Sequence, residues 1–178
     1  TDAAGLRECF APVPEGDYER LYSPPITVPA QSEVIMCSYL EARPDEEWLI
    51  SATEGQQMTG GHHIAVFMAV SPSDDPTPHE CTDEEMTNFN YVAGAGGGGG
   101  QDTVMPEGRA LRVPAGRQLV LQSHYLNTSD EPRVVMDAVD LRRVPAESEP
   151  EIVDPFAMIK SDFELPPGEE TEHVKECT

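Results

Sequence analysis

The sequence has little positive charge and no long apolar run. Lysine and arginine together number 11 against 33 acidic residues, which gives a formal net charge of −22 at pH 7. Binding to the phosphates of nucleic acid needs a basic surface, so this composition argues against a nucleic-acid partner. No stretch approaches the roughly 20 consecutive apolar residues of a membrane helix, and we therefore expect no membrane span.

Several motifs that carry chemistry are also missing. No Gly-x-Ser-x-Gly occurs, so a hydrolase has no specific support. The absence of Cys-x-x-Cys argues against a zinc knuckle or a thioredoxin-type site.

Four widely spaced cysteines suit disulfides in an oxidising compartment, and they are Cys9, Cys37, Cys81 and Cys177. Three pairings are open at this point, and buried free thiols in a cytosolic protein are the alternative.

Glycine and proline, by contrast, are abundant, with 14 and 17 copies in 178 residues. This punctuation favours many short strands joined by turns. Alternating or continuous apolar segments predict strands at 33–40, 47–52, 62–70, 110–113, 118–126 and 134–142. Thr82 to Glu85 matches a capping box and predicts one short helical turn. We therefore expect an all-β protein, an antiparallel β-sandwich or jelly roll of about nine strands, preceded by an irregular arm at 1–18.

The five histidines include one adjacent pair. His62 and His63 follow Gly60-Gly61 at the start of an apolar strand, and His124 lies on another apolar strand. Because neighbouring side chains on a regular strand point to opposite faces, one ion can contact both His62 and His63 only at a strand end or an irregular backbone. The glycines give that freedom. We expect opposed imidazoles with His124 completing a T-shaped site, a geometry that Cu(I) accepts. Imidazole as a ligand suits copper and zinc alike. Alternatively, two of these histidines merely face solvent.

Other candidates are weaker. His79 follows a proline-rich loop and His173 lies among glutamates, so both are interpreted as exposed. Met58 and Met105 are soft enough to add a ligand, although such residues more often pack in the core. Asn127-Thr128-Ser129 fits an N-glycosylation sequon.

Two histidine segments resemble those of a known family. Met58-Thr59-Gly60-Gly61-His62-His63-Ile64-Ala65-Val66-Phe67 is similar to the His-His stretch of peptidylglycine α-hydroxylating and dopamine β-monooxygenases, the copper type II, ascorbate-dependent monooxygenases. Leu119-Val120-Leu121-Gln122-Ser123-His124-Tyr125 resembles the Leu-Gln-Val-His-Tyr motif of their third ligand. Weaker similarities, in the same order along the chain, are Met36-Cys37, Cys81-Thr82-Asp83, Arg142-Arg143-Val144-Pro145 and Phe163 to Cys177.

The resemblance implies one copper ion, cycling between Cu(I) and Cu(II), on His62, His63 and His124. In this family the first of two stacked sandwich domains stores and passes an electron from ascorbate, and the second domain activates dioxygen on two histidines and a methionine. No His-x-His occurs in this chain, so the oxygen-activating centre is expected to be absent. The resemblance also favours a Cys37–Cys81 disulfide and leaves Cys9 with Cys177 as a speculative pair.

Three readings follow from these observations. The chain is an electron-transfer copper domain of a monooxygenase, with residues 19–146 as the sandwich and 147–178 resembling the entry strand of a second domain. Alternatively, it is a single-domain protein that stores or delivers copper, or a structural sandwich whose histidines are incidental. Ascorbate or a similar reductant and a second copper domain or partner chain are the expected partners, and a secreted or periplasmic location is expected.

Overall fold

The computed structural model describes residues 3–41, 44–95, 102–155, 164, 166–172 and 174. Within these ranges the chain forms thirteen strands, two short helices and a 3-10 turn at Ala146–Ser148. The helices are α1 (Ala3–Arg7) and α2 (Asp83–Asn88). The strands are β1 (Tyr18–Tyr22), β2 (Ile26–Val28), β3 (Ser32–Tyr39), β4 (Trp48–Gln57), β5 (Gly61–Met68), β6 (His79–Glu80), β7 (Asn90–Ala95), β8 (Thr103–Val104), β9 (Arg109–Val113), β10 (Leu119–Asn127), β11 (Arg133–Val135), β12 (Asp137–Arg143) and β13 (Glu151–Ile152).

The strands form two principal sheets and confirm the predicted all-β class. One sheet has the order β1-β12-β4-β9-β13, with β8 also paired to β4, and the other has the order β6-β3-β10-β5-β7. A small third sheet joins β11 to β2. Every described strand pair is antiparallel except β13 with β9. The predicted antiparallel sandwich is therefore correct, although short strands bring the number above nine.

The core lies between the two principal sheets, where alternate side chains of facing strands meet. Its members include Ile50, Ile64, Val66, Leu119, Leu121, Val139 and Leu141, all essentially buried. A second apolar cluster covers the outer face of the β3-β10-β5 sheet, where α2 contributes Met86. The central strand β10 is consequently buried on both faces over most of its length. This explains why β10 begins with three consecutive apolar residues, Leu119-Val120-Leu121, and does not alternate apolar with polar ones as a half-exposed strand does.

Two details differ from the sequence-based expectations. The segment predicted as one strand at 134–142 is two strands, because the chain passes from the small sheet to a principal sheet at the buried residue Met136. The predicted irregular arm contains the helix α1, whose Leu6 is buried. Beyond residue 146, β13 pairs with β9 and adds a strand to the edge of the sheet that contains β4. Most of the predicted entry strand of a second domain lies outside the described residues.

Candidate metal centre

His62 and His63 lie on the same side of the sheet because the backbone is irregular between them. His124 of β10 pairs with His63 of β5, whereas the next residue, Tyr125, pairs with Gly61. His62 is therefore the extra residue of a β-bulge, and a bulge re-aims the side chain that it carries. The predicted irregularity at the start of this strand is present. It allows adjacent residues to converge where a regular strand would separate them.

Both glycines before the histidines are needed for this geometry. Gly60 has a positive φ of 96°, and a Cβ atom there would lie 2.7 Å from the carbonyl oxygen of Leu126. A Cβ atom on Gly61 would collide with the side chain of Gln57. Gly60 and Leu126 are further joined by a hydrogen bond of 2.8 Å from the Leu126 amide. Larger residues at either position would displace the turn that delivers the histidine pair.

The three imidazoles meet through their Nδ1 atoms. These atoms are 3.1 Å apart for His62 and His63, 3.1 Å for His62 and His124, and 3.2 Å for His63 and His124. The arrangement is a nearly equilateral triangle, so the expectation of opposed imidazoles in a T-shape is wrong. The centre of the triangle is about 1.8 Å from each nitrogen, slightly less than the usual nitrogen–zinc distance of about 2.0–2.1 Å. A small cation therefore fits against one face of the triangle, with a fourth position open.

The outer nitrogens of two imidazoles are held by acceptors. His124 Nε2 is 2.6 Å from Oε1 of Glu33, and His63 Nε2 is 3.2 Å from Oε1 of Gln122. A neutral imidazole has one donor nitrogen and one acceptor nitrogen. With Nε2 donating in both residues, the Nδ1 lone pairs of His63 and His124 face each other across 3.2 Å. Two facing lone pairs repel, and either a bound cation or a proton on Nδ1 of His62 relieves that repulsion, so the position between the three nitrogens suits a cation.

The protonation chemistry of His63 agrees with this arrangement. Burial lowers its pKa below the ordinary 6.5 and the neighbouring imidazoles lower it further, although the hydrogen bond to Gln122 acts in the opposite direction. A neutral imidazole is the form that binds metals. His63 is thus kept in its ligand form at neutral pH without a competing proton.

Burial decreases across the three histidines from one side of the site to the other. His124 is buried with 8% exposure, His63 is intermediate and His62 is exposed. Glu33, the acceptor for His124, is itself on the surface with 62% of its side chain exposed. The site therefore opens to solvent beside His62, where a small reductant or a partner protein can approach it.

Glu33 and Gln122 were not identified from the sequence, although a strand rule could have found Gln122. It lies two residues before His124 on β10, and residues two apart share a face. Its amide nitrogen is 3.0 Å from the Met86 sulfur and 3.9 Å from Sγ of Cys81, so its side chain is held between α2 and His63. Glu33 of β3 lies opposite Leu126 of β10, and only the register of the two strands reveals this pairing.

The other predicted candidates within the described residues have different neighbours. His79 pairs with Glu85 at 2.8 Å and stacks on Tyr39, so it is only partly exposed. Met58 and Met105 pack against apolar clusters, as the more common role of such residues suggests. His173 lies outside the described residues.

The asparagine of the N-glycosylation sequon is buried in the fold. Asn127 is 3% exposed, and its amide nitrogen donates to the carbonyl groups of Val28, Pro29 and Glu131. A side chain held in this way is inaccessible to a glycosylating enzyme in the folded protein.

Two of the four cysteines form a disulfide, as the resemblance suggested. Cys37 of β3 is bonded to Cys81, which directly precedes the cap of α2. Such a bond suits an oxidising compartment. Cys9 is exposed and has no disulfide partner among the described residues. Its suggested pairing with Cys177 stays a prediction because Cys177 lies outside them.

Comparison with family models gives no match, and no curated protein matches the sequence. Among the described residues no helix has the length and apolar character needed to cross a membrane. The His62, His63 and His124 cluster is the one group of three or more potential metal ligands in the described part of the chain. The functional argument therefore depends on this site and on the motifs that surround it.

Proposed function

We propose that this chain binds one copper ion through His62, His63 and His124 and that the bound ion serves in one-electron transfer. The observation that carries the proposal is the convergence of three Nδ1 atoms within 3.2 Å, with the outer nitrogens of His63 and His124 held by acceptors. Imidazole ligands suit copper, and a bound copper ion supplies one-electron redox chemistry.

The protein residues have separate tasks in this scheme. His124 and His63 keep fixed orientations because Glu33 and Gln122 hold their outer nitrogens. Such outer partners fix the tautomer and raise the basicity of a ligand. His62 is exposed and completes the site on its solvent side. A rigid pair with one accessible ligand suits electron exchange with a reductant such as ascorbate, because neither oxidation state requires a large rearrangement of the protein.

The motifs around the ligands support the same proposal. The Gly-Gly-His-His and Leu-Gln-x-His-Tyr segments resemble those of the copper type II, ascorbate-dependent monooxygenases, and both contribute to the cluster. The Cys37–Cys81 disulfide supports a location outside the cytoplasm. In this reading the chain is the electron-supplying part of a monooxygenase and works with a second copper domain or partner chain.

A second candidate function is extracytoplasmic storage or delivery of copper. It is favoured by the presence of a single metal-ligand cluster in the described part of the chain, together with the lack of His-x-His in the sequence. The same three histidines would then hold an ion that is passed on and not reduced and reoxidised in place. The two functions differ in whether the ion stays bound through a redox cycle.

Copper loading tests the proposal directly. Wild-type protein, loaded with Cu(II) and desalted, is expected to retain one equivalent of copper by elemental analysis and to show an electron paramagnetic resonance signal with nitrogen coupling. His124→Ala should lose this copper. His79→Ala is the matched control, because His79 is a partly exposed histidine on the same sheet and its side chain is held by Glu85 of α2.

Ascorbate then separates the two functions. Electron transfer predicts that ascorbate abolishes the Cu(II) signal, that air restores it, and that copper stays bound throughout. Release of the ion after reduction would favour delivery. Tight retention of zinc with no retention of copper would contradict both functions.

A further inference from the structure

A buried carboxylate outside the histidine cluster is linked to the segment that carries the ligands. Asp137, the first residue of β12, is fully buried. Its Oδ1 accepts a short hydrogen bond from the Tyr125 hydroxyl and a bond of 3.3 Å from the Gln57 amide nitrogen. Burial raises the pKa of Asp137 to about 6, against the opposing effect of the hydrogen bonds from Tyr125 and Gln57. Keeping a carboxylate here is costly, so its role requires explanation.

Both hydrogen-bond partners of this carboxylate also hold the ligand segment. The Tyr125 hydroxyl accepts a bond of 3.2 Å from the Met58 amide, at the start of the turn. The Gln57 amide nitrogen, which donates to Asp137, lies 3.2 Å from the carbonyl oxygen of His63. One carboxylate oxygen therefore anchors both ends of the segment 58–63, which contains the bulge and two of the three ligands.

The third ligand is tied to the same anchor through the chain. Tyr125 follows His124 on β10 and points to the opposite face, where it is 1% exposed. A shift of its hydroxyl group would therefore move the backbone that carries His124. The hydroxyl has a single proton, and of its two possible acceptors, Met136 O and Asp137 Oδ1, the carboxylate is the stronger.

We propose that Asp137, acting through Tyr125 and Gln57, is a positioning residue that holds the three imidazoles in their converged arrangement before the ion binds. The inference extends the proposed copper site from its ligands and their direct partners to a buried network on the other side of the sheet. It rests on the proposed function for its metal-binding consequence. In the metal-free protein, too, the network should hold the turn at 58–61 in place.

Three substitutions test the network with little change in side-chain volume: Tyr125→Phe, Asp137→Asn and Gln57→Met. We expect each to weaken Cu(II) binding, measured by chelator competition, by about 10-fold, the lower end of the range typical of direct hydrogen-bond partners of metal ligands. The electron paramagnetic resonance parameters should change as well, because the ligand angles are no longer fixed. In the metal-free protein, hydrogen exchange at the Met58 amide should become faster.

Asp140→Asn is the matched control. Asp140 lies three residues further along β12, is equally buried, and forms an ion pair with Arg20 that does not contact the ligand segment. This variant should lower the melting temperature while leaving the copper spectrum, the copper affinity and the Met58 exchange rate unchanged.

The outcomes separate this inference from the proposed function. Wild-type copper affinity and spectrum in a folded Tyr125→Phe protein would overturn the network but leave the copper site intact. If Tyr125→Phe does not fold, Gln57→Met decides, because the Gln57 side chain is only partly buried. If the wild-type protein takes up no copper, the proposed function fails, and an unchanged Met58 exchange rate in the variants would overturn the network as well.

Discussion

Two histidine environments on the same sheet have opposite chemistry. Around His63, burial and two neighbouring imidazoles lower the pKa, and the outer nitrogen faces a neutral amide. Around His79, burial also acts to lower the pKa, but hydrogen bonds to Glu85 and to the Thr77 carbonyl raise it above 6.5. The surroundings of His79 thus favour its protonated form through a hydrogen bond to a carboxylate, whereas those of His63 favour its neutral form.

The comparison indicates that the partners of a histidine, more than its exposure, decide whether its lone pair is available to a cation. His79 is accessible, but Glu85 already satisfies it and also caps α2 through Thr82. His124 is almost buried, and its carboxylate partner lies on the outer nitrogen, which directs the lone pair inward. A carboxylate therefore has different consequences in the two places. It completes an isolated pair at His79, and it orients a ligand toward its neighbours at His124.

The largest effect is expected on removal of a ligand that packs against little else. His62→Ala takes away an exposed imidazole, so the fold should be retained. Copper affinity should fall by more than about 100-fold, the upper end of the loss expected when only a hydrogen-bond partner of a ligand is removed. Chelator competition measures the affinity, and the melting temperature of the metal-free protein checks the fold. His79→Ala should leave the copper affinity unchanged. Equal losses of copper affinity in the two variants would mean that the two histidine environments do not differ in metal binding.

Glu33→Gln is expected to have a smaller effect. The amide still accepts a hydrogen bond from His124 Nε2, but the negative charge beside the ligand is lost. We expect about 10-fold weaker Cu(II) binding and a higher reduction potential, since the charge favours the more positive oxidation state. Equilibrium redox titration measures the potential.

Glu85→Gln is the matched control for this change, because Glu85 is the glutamate on the other histidine and its loss should leave the potential unaltered. A potential that is the same in Glu33→Gln and in the wild type would show that Glu33 does not tune the site.

The sequence was sufficient for the residues that act through local patterns. Continuous apolar strands identified β5 and β10, and the pair of glycines indicated the irregular backbone that allows His62 and His63 to converge. The capping box at Thr82 is present with both of its hydrogen bonds. These features are set by residues close together in the chain, so the order and spacing of residue types are enough to predict them.

Features set by strand register were not predictable in the same way. Glu33 contacts His124 across 91 residues of sequence, and Asp137 contacts Gln57 across 80. The break at Met136 and the shape of the nitrogen triangle also depend on how sheets pack, which spacing along one strand does not encode. The grouping of the three histidines could therefore be predicted from the sequence, while the residues that orient them required the fold.

The smallest effect concerns pH, and it tests the comparison through opposite signs in the metal-free protein. The raised pKa of His79 means that its pairing with Glu85 stabilises the fold fully below pH 6.5, and this contribution is lost as the pH rises through the folded pKa. The lowered pKa of His63 has the reverse effect, since its contribution is present above pH 6.5 and is lost as the pH falls. Because His79 is partly exposed, His79→Gln should cost only about 0.5 kcal/mol near pH 5, and less near pH 8. For His63→Gln, the loss in free energy of unfolding relative to the wild type should instead grow from pH 5 to pH 8. Denaturant unfolding at both values measures these differences, and slopes of the same sign would mean that the two histidines do not differ as their surroundings indicate.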